Sequence, residues 1–164
     1  DDPRRPAFDA NRQAEIEAVK PVIERLKETG WTFGSHTWGH IRLDSRPLES
    51  VQRDTVRWAE EVGSLVGPTN ILFYPHGGRP DGDDWHSTGP VFQYLQSQGF
   101  RISASVGINS FSYIKKDISA VICDRLHPDG TTLRNGKALE WYSQFYDARE
   151  IIDLDVRPDL GVTW

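Results

Sequence analysis

Residues 31–40 read Trp31-Thr32-Phe33-Gly34-Ser35-His36-Thr37-Trp38-Gly39-His40, and they carry a signal for both the fold and the candidate site. Its first five residues predict a short strand. His36 and His40 are four residues apart, so a helical turn after the strand would place both imidazoles on one face, about 5–6 Å apart at Cβ. Two imidazole nitrogens at that spacing can share one metal ion. Two loop histidines that bond to the backbone are the alternative interpretation.

Helices and strands alternate outward from this stretch. Apolar residues recur at three- and four-residue steps over residues 12–29, which predicts an amphipathic helix that Pro21 kinks and Gly30 ends. Pro47 predicts the start of a second helix, and Gly67-Pro68 predicts its end. The other predicted elements are strands over 70–74, 100–106 and 119–125, helices over 88–98 and 136–146, a loop over 77–84 and a short apolar stretch over 151–154.

This alternation favours an α/β domain with a mainly parallel sheet or barrel. We expect a loop or arm over residues 1–11 and one domain over residues 12–164, because no repeat or linker divides the chain. Ligand chemistry in such folds lies at the carboxyl ends of the strands. The histidines fall there: His36 and His40 follow the first strand, His76 follows the second, and His127 follows the last.

Composition narrows the function classes. The chain has 164 residues, of which 37% are hydrophobic and 26% charged, as in an ordinary globular protein. Its net charge of −5, with scattered basic residues, argues against nucleic acid as the main partner. No stretch approaches the ~20 apolar residues that span a bilayer, and no signal peptide is visible. The lone Cys123 lies in an apolar run, which predicts a buried, inert thiol.

Residues 35–40 resemble the metal-binding His-(Ser/Thr)-x-x-His motif of polysaccharide deacetylases, the NodB-homology carbohydrate esterases, and residues 26–33 resemble the approach to it. The resemblance is specific over about residues 12–80 and looser toward the C-terminus. It implies a distorted (β/α) barrel, incomplete in this chain, that holds a divalent metal, commonly zinc. His36, His40 and an Asp would be the ligands, and Thr37 would tie the loop around them.

The stretch Phe73-Tyr74-Pro75-His76-Gly77 resembles the family's Arg-x-Pro-(Tyr/Phe) motif. Pro75 matches, whereas Phe73 stands in place of Arg and His76 in place of the aromatic residue. The resemblance implies that Tyr74 and Pro75 line the substrate groove and that the backbone N–H of His76 helps to hold the oxyanion. The family's Arg orients the catalytic Asp, so Phe73 is a departure from the standard base chemistry.

The family's first motif, Thr-Phe-Asp-Asp, supplies the base and the third metal ligand. The sequence has no strand with this motif, since Asp1-Asp2 has no apolar strand before it. No third ligand is therefore identified. We expect either a C-terminal portion of a longer domain, which associates with a missing N-terminal segment or another chain, or a diverged version that binds metal differently. His127 is similar in position to the family's late His, the implied general acid, and Trp38 and Trp85 are candidate sugar contacts.

These features together predict metal-assisted hydrolysis of acetyl groups on a polysaccharide, with His127 protonating the leaving group. The resemblance also implies an extracellular or cell-envelope location. A non-catalytic carbohydrate-binding relative, which has lost the catalytic Asp and Arg, is the alternative. A third interpretation is an α/β domain with incidental histidines. The sequence leaves open the polysaccharide, the metal and whether the acetyl group is on nitrogen or oxygen.

Overall fold

A computed structural model describes residues 5–82, 88–106, 112–116 and 119–125, together with Glu140 and Ser143. The chain divides into two compact units, Asp1–Arg125 and Leu126–Trp164. The fold described below belongs to the first unit. Apart from Glu140 and Ser143, the helix predicted over 136–146 lies outside the described residues, as does the apolar stretch predicted over 151–154.

Helix α1 (Arg5–Glu28) is longer than the sequence predicts. It begins at Arg5, so the loop predicted over residues 1–11 is wrong for residues 5–11, and it continues through Pro21. Residues 5–11 contain no apolar repeat, which explains why periodicity missed this start. No helix in the described part of the chain, α1 included, is long and apolar enough to cross a membrane.

The end of α1 is confirmed at Gly30, which adopts a φ of 89°. The Gly30 N–H donates to Lys27 O at 3.0 Å, and the Trp31 N–H donates to Leu26 O at 3.0 Å. These two bonds form the Schellman ending, whose left-handed residue is usually glycine. The chain therefore leaves α1 in a defined direction, toward the segment that carries the histidines.

The sheet is mainly parallel, as the sequence predicts. Strands β1 (Ile71–Phe73), β2 (Ile102–Val106) and β4 (Ala120–Arg125) are parallel neighbours, and β3 (Ser112–Lys115) pairs antiparallel with β4 at the edge. The strand β3 is not predicted from the sequence. Because the three parallel strands end at the same edge, the residues that follow them are brought to one side of the sheet.

The strand predicted over residues 31–35 is reduced to one residue. Ser35 forms a parallel bridge with Leu72, in which the Ser35 N–H donates to Ile71 O at 2.9 Å and the Phe73 N–H donates to Ser35 O at 2.8 Å. Since β1 has only three residues, it offers no longer ladder to this segment. The single bridge still places His36 at the carboxyl edge of β1.

Helix α2 (Leu48–Trp58) follows Pro47, as predicted, and continues through a π-helical turn (Ala59–Gly63) and a short helix α3 (Ser64–Val66). Gly67, with a φ of 93°, ends the segment. Val51 and Trp58 are the buried residues of α2. The core lies between this helix, α4 (Pro90–Ser97) and one face of β1, with these buried members: Leu43, Val51, Leu72, Tyr74, Val91, Leu95 and Phe100.

The first turn of α4 is capped by a distant carboxylate. Asp81, in the turn Pro80–Gly82, accepts the N–H of Val91 at 3.2 Å and the N–H of Phe92 at 2.9 Å. Gly89 makes this possible, because a Cβ there would lie 2.1 Å from a carboxylate oxygen of Asp81. An anion at this position satisfies free N–H groups and favours the helix dipole.

Gly34 gives the first test of the fold. A Cβ at this position would lie 2.7 Å from Phe73 Cε2 and 2.9 Å from Ile71 Cγ2, well inside van der Waals contact. We predict that Gly34→Ala lowers the free energy of unfolding by about 1–3 kcal/mol, the usual cost of overpacking. Urea denaturation measures it, with Thr32→Ala at an exposed neighbour as the control. Equal midpoints for the two variants would contradict this packing.

Candidate functional site

The candidate site lies at the carboxyl edge of the parallel strands. His36 directly follows the bridge residue Ser35, His76 follows β1, and Arg125 ends β4. The His40 ring lies between the other two imidazoles, with centroid distances of 4.8 Å to His36 and 4.3 Å to His76. The three histidines span 40 positions of the chain, from His36 to His76, and thus meet at one edge of the sheet.

One nitrogen of His36 is fixed by the backbone. His36 Nδ1 lies 2.8 Å from Phe73 O. A carbonyl oxygen only accepts hydrogen bonds, so Nδ1 must carry the proton and donate it. In neutral imidazole the other nitrogen, Nε2, then has a free lone pair. This bond therefore selects the tautomer and holds the ring with Nε2 directed away from β1.

The two Nε2 atoms of His36 and His40 lie 3.2 Å apart. Zinc–nitrogen bonds of about 2.0–2.1 Å in tetrahedral geometry place two ligand nitrogens about 3.3–3.4 Å apart, so the pair fits two ligands of one ion. The same distance allows His40 to donate a hydrogen bond to His36. Burial, followed by the positive charges of His36, His76 and Arg125, lowers the pKa of His40, which favours the neutral ring that metals bind.

A complete protein site is not present in the described part of the chain, where no group of three His, Cys, Asp or Glu side chains could hold a metal ion. His76 contacts His40 edge-on, with an interplanar angle of 62°. His36 and His40 are thus two candidate ligands, and an ion would need its remaining ligands from elsewhere.

Thr37 ties together the loop between the two histidines. The Thr37 N–H donates to Ser35 Oγ at 3.2 Å, and Thr37 Oγ1 accepts the N–H of Ile41 at 3.1 Å. Thr37 and His40 both adopt left-handed backbone conformations, with φ values of 61° and 51°. Such conformations are unfavourable outside glycine and persist only where surrounding contacts hold them. The hydroxyl of Thr37 is one of these contacts.

Asp54 of α2 is the stronger support for the loop, and sequence reasoning missed it. Its carboxylate accepts the Trp38 N–H at 2.8 Å and the Gly39 N–H at 2.7 Å. Asp54 lies three residues after buried Val51 and four before buried Trp58, on their side of α2. A carboxylate on the buried face of an amphipathic helix needs hydrogen-bond donors, and that was the available signal.

Trp38, a candidate sugar contact, is held by a charged cluster. The Arg57 guanidinium lies 3.5 Å from the centroid of its ring, and Trp38 Nε1 donates to Glu61 at 2.9 Å. Glu61 also accepts Arg57 Nε at 2.7 Å and pairs with Arg12 of α1. Arg57 first, and then Arg12, lower the pKa of Glu61 from its ordinary 4.5 to about 2. One face of Trp38 is therefore covered by Arg57.

In the turn after β1, an exposed His76 follows two buried residues. Tyr74 and Pro75 are both under 2% exposed, so their side chains support the turn from inside the protein and do not form an open groove wall. His76 is exposed and left-handed, with a φ of 54°. Its backbone N–H, the candidate oxyanion donor, lies in the turn Pro75–Gly77.

The end of β4 adds polar and charged groups to this edge. Asp124 pairs with Arg79 at 2.8 Å, and Arg125 lies with its guanidinium carbon 5.8 Å from the Phe73 ring centroid. Cys123 is half-buried, and its thiol donates to Ser103 O at 3.4 Å. Burial, and then the charge of Asp124, raise the pKa of Cys123, which keeps it a thiol. The candidate residues His127 and Trp85 lie outside the described residues.

Comparison with known proteins gives a family and a fold. The polysaccharide deacetylase family model matches residues 7–100. The chain is also similar to a crystal structure of a provisionally assigned polysaccharide deacetylase from Mycobacterium smegmatis, with a TM-score of 0.51 and 13% identity. That similarity covers 76% of this chain and 47% of the other, so the chain spans about half the length of that protein. No curated protein matches the chain significantly.

Asp54 gives a test of the loop. Asp54→Ala removes the acceptor of two backbone N–H groups, and we predict a loss of about 1–3 kcal/mol in the free energy of unfolding, measured by urea denaturation. Asp54→Asn keeps one oxygen acceptor and should lose less. Glu60→Ala, at an exposed carboxylate in the same helical segment, is the control. The prediction is wrong if Asp54→Ala is as stable as Glu60→Ala.

Glu61 gives a test of the charged cluster. Because its folded pKa of about 2 lies below its ordinary 4.5, its contribution to stability is present above pH 4.5 and is lost as the pH falls toward 2. We predict that wild type has a higher melting temperature than Glu61→Gln at pH 6, and that this difference shrinks steadily as pH falls from 4.5 to 2. A difference that does not change with pH would contradict the ion-pair origin.

Proposed function

The chain belongs to the polysaccharide deacetylase family, and from that premise we propose that the protein removes acetyl groups from a polysaccharide with a divalent metal ion held by His36 and His40. The observation that carries this proposal is the 3.2 Å separation of the two Nε2 atoms. The bond from His36 Nδ1 to Phe73 O supports it, because it leaves Nε2 as the nitrogen available for a ligand.

The metal in this proposal is zinc, since two imidazoles completed by a carboxylate suit that ion. When bound, it would polarise the acetyl carbonyl and lower the pKa of water. The third ligand would come from outside the described residues. Thr37 and Asp54 hold the backbone between the two histidines, so their role is to keep both rings in place.

The remaining roles concern the acetyl group itself. The His76 N–H would donate a hydrogen bond to the developing oxyanion, and the buried side chains of Tyr74 and Pro75 would keep that N–H fixed. His127, which follows the last parallel strand in sequence, would protonate the departing amine or alcohol. The exposed Trp38, together with Trp85, is a proposed sugar contact.

The fold proposal is an incomplete, distorted (β/α) barrel. Residue 35, β1, β2 and β4 follow one another as parallel neighbours in chain order, which is the arrangement of strands along the wall of such a barrel. The fold similarity to the mycobacterial structure supports it. We also propose an extracellular or cell-envelope location, on family membership alone.

A non-catalytic carbohydrate-binding relative is the second candidate. It is favoured by Phe73, which stands where the family has Arg, and by the lack of a third ligand among the described residues. The two candidates differ in one measurable outcome. A deacetylase releases acetate from acetylated chitin or xylan oligomers, whereas a binding module holds them unchanged.

The test uses the full-length protein. We predict that His36→Ala and His40→Ala each lower zinc affinity by more than about 100-fold, measured by competition with a chelating dye, because a direct ligand exceeds the effect of a supporting residue. Acetate release should fall in parallel, and a chelator should abolish it in wild type. His76→Ala is the matched imidazole control and should retain zinc.

Two outcomes would change the assignment. Unchanged zinc content in the double alanine variant would remove the metal site from these two histidines. Binding of acetylated oligomers by wild type, without acetate release at any zinc concentration, would favour the carbohydrate-binding candidate.

A further inference from the structure

Arg125 is a positive charge at the candidate site that has no counter-charge among the described residues. It ends β4, and Arg125 Nε is buried with no hydrogen-bond partner in the part of the chain that the structure describes. Burial lowers the pKa of its guanidinium, whose carbon lies 5.8 Å from the ring centroid of Phe73, the residue whose carbonyl holds His36. Arg125 as a whole is half-buried, so its charge is less well hydrated than at an open surface, and this favours an anion beside it.

The other arginines around this edge are already paired. Arg79 pairs with Asp124, Arg42 with Asp44, and both Arg57 and Arg12 with Glu61. The remaining carboxylate near the loop, Asp54, accepts two backbone N–H groups. Within the described residues, the carboxylates of this region thus have partners, and Arg125 differs from its neighbours in having none.

The chemistry of the missing partner follows from the guanidinium. Its planar array of donors matches a carboxylate with two parallel hydrogen bonds, and the pairing is strongest where water is excluded. The Phe73 ring beneath it excludes water from one side and offers no acceptor of comparable strength. A carboxylate brought to the edge of the histidine cluster would therefore supply a counter-charge to the accessible part of the guanidinium.

We propose that Arg125 binds a carboxylate carried by the sugar chain, so that the site selects acidic, acetylated polysaccharides over neutral ones. This rests on the proposed function, because it assigns a substrate class to the same site. The net charge of −5 disfavours general attraction of a polyanion. Recognition of an acidic sugar would therefore depend on this local cation, and one substitution should remove it.

The experiment compares two matched ligands on the full-length protein. N-acetylchitooligosaccharides are neutral, and the same oligomers oxidised at C6 carry carboxylates. Binding is measured by calorimetry, and acetate release is measured separately. We expect wild type to bind the oxidised oligomer about tenfold more tightly, as one charge-assisted pair allows. Arg125→Gln should remove this preference and leave affinity for the neutral oligomer unchanged, whereas Arg125→Lys should retain part of it.

Arg42→Gln is the control, since it removes an exposed guanidinium that is already paired with Asp44. Thermal denaturation of each variant shows whether the fold is retained. If Arg125→Gln does not fold, Arg125→Lys takes its place in the binding comparison. Sodium acetate is a second probe. If acetate alone competes with the oxidised oligomer in an Arg125-dependent manner and the oligomer has no tenfold advantage, the group binds released product and the sugar assignment is wrong.

Other outcomes separate this proposal from the proposed function. Equal weakening of neutral and oxidised oligomers in Arg125→Gln would overturn it, since the guanidinium would then hold a carboxylate of the protein itself. No preference in wild type would also overturn it, even if acetate is released. If wild type prefers the oxidised oligomer in an Arg125-dependent manner but releases no acetate, the Arg125 proposal is supported and only the proposed deacetylase activity is contradicted.

Discussion

The candidate site depends on one peptide unit, that of Phe73. Its N–H donates to Ser35 O and so holds the histidine segment beside β1, while its carbonyl accepts the proton of His36 Nδ1. The same residue therefore sets the position of the segment and the tautomer of the imidazole. Because both bonds use backbone atoms of residue 73, any residue except proline could make them at this position. The sheet thus determines where a metal ligand can point.

The helix layer supplies the second support. The Asp54 carboxylate on α2 accepts two successive N–H groups of the loop. Val51 and Trp58 are buried on the same side of that helix. Packing of α2 into the core beside β1 thus fixes the position of the loop relative to the strand ends. This support explains how left-handed conformations at Thr37 and His40 persist, since each is unfavourable in an isolated chain. The site is held from two layers and is not a free loop.

Structural features that depend on neighbouring residues in the chain can be predicted from the sequence. The helix ends at Gly30, Gly67 and Gly99 are recognisable because a left-handed residue needs glycine, and the parallel strands appear as compact apolar runs. The histidine pair is visible by its spacing. The partners of Asp54 and Asp81 have no such signal, because each carboxylate bonds to N–H groups in another segment and periodicity says nothing about tertiary partners.

Two further differences between the predicted and the observed structure also arise from contacts with other segments. Residues 31–35 have the composition of a strand, but β1 is too short to pair with more than Ser35, and that length is a property of another segment. Tyr74 follows a strand and resembles a groove residue, yet the core has room for its ring and buries it. Patterns along the chain therefore identify the elements, whereas the role of each side chain follows from what packs beside it.

Phe73 and Arg125 show how a departure from a family motif can be compatible with a site. The Phe73 ring lies against Gly34, where no Cβ would fit, and presents a surface to the Arg125 guanidinium. An arginine at position 73 would bring two guanidinium groups together at this edge. Among the described residues, Asp124 could not offset their repulsion, because it is already paired with Arg79. An uncharged residue on β1 and a cation on β4 avoid this repulsion. The change at position 73 therefore does not leave the edge of the sheet without a positive charge, and the strand that supplies it is β4.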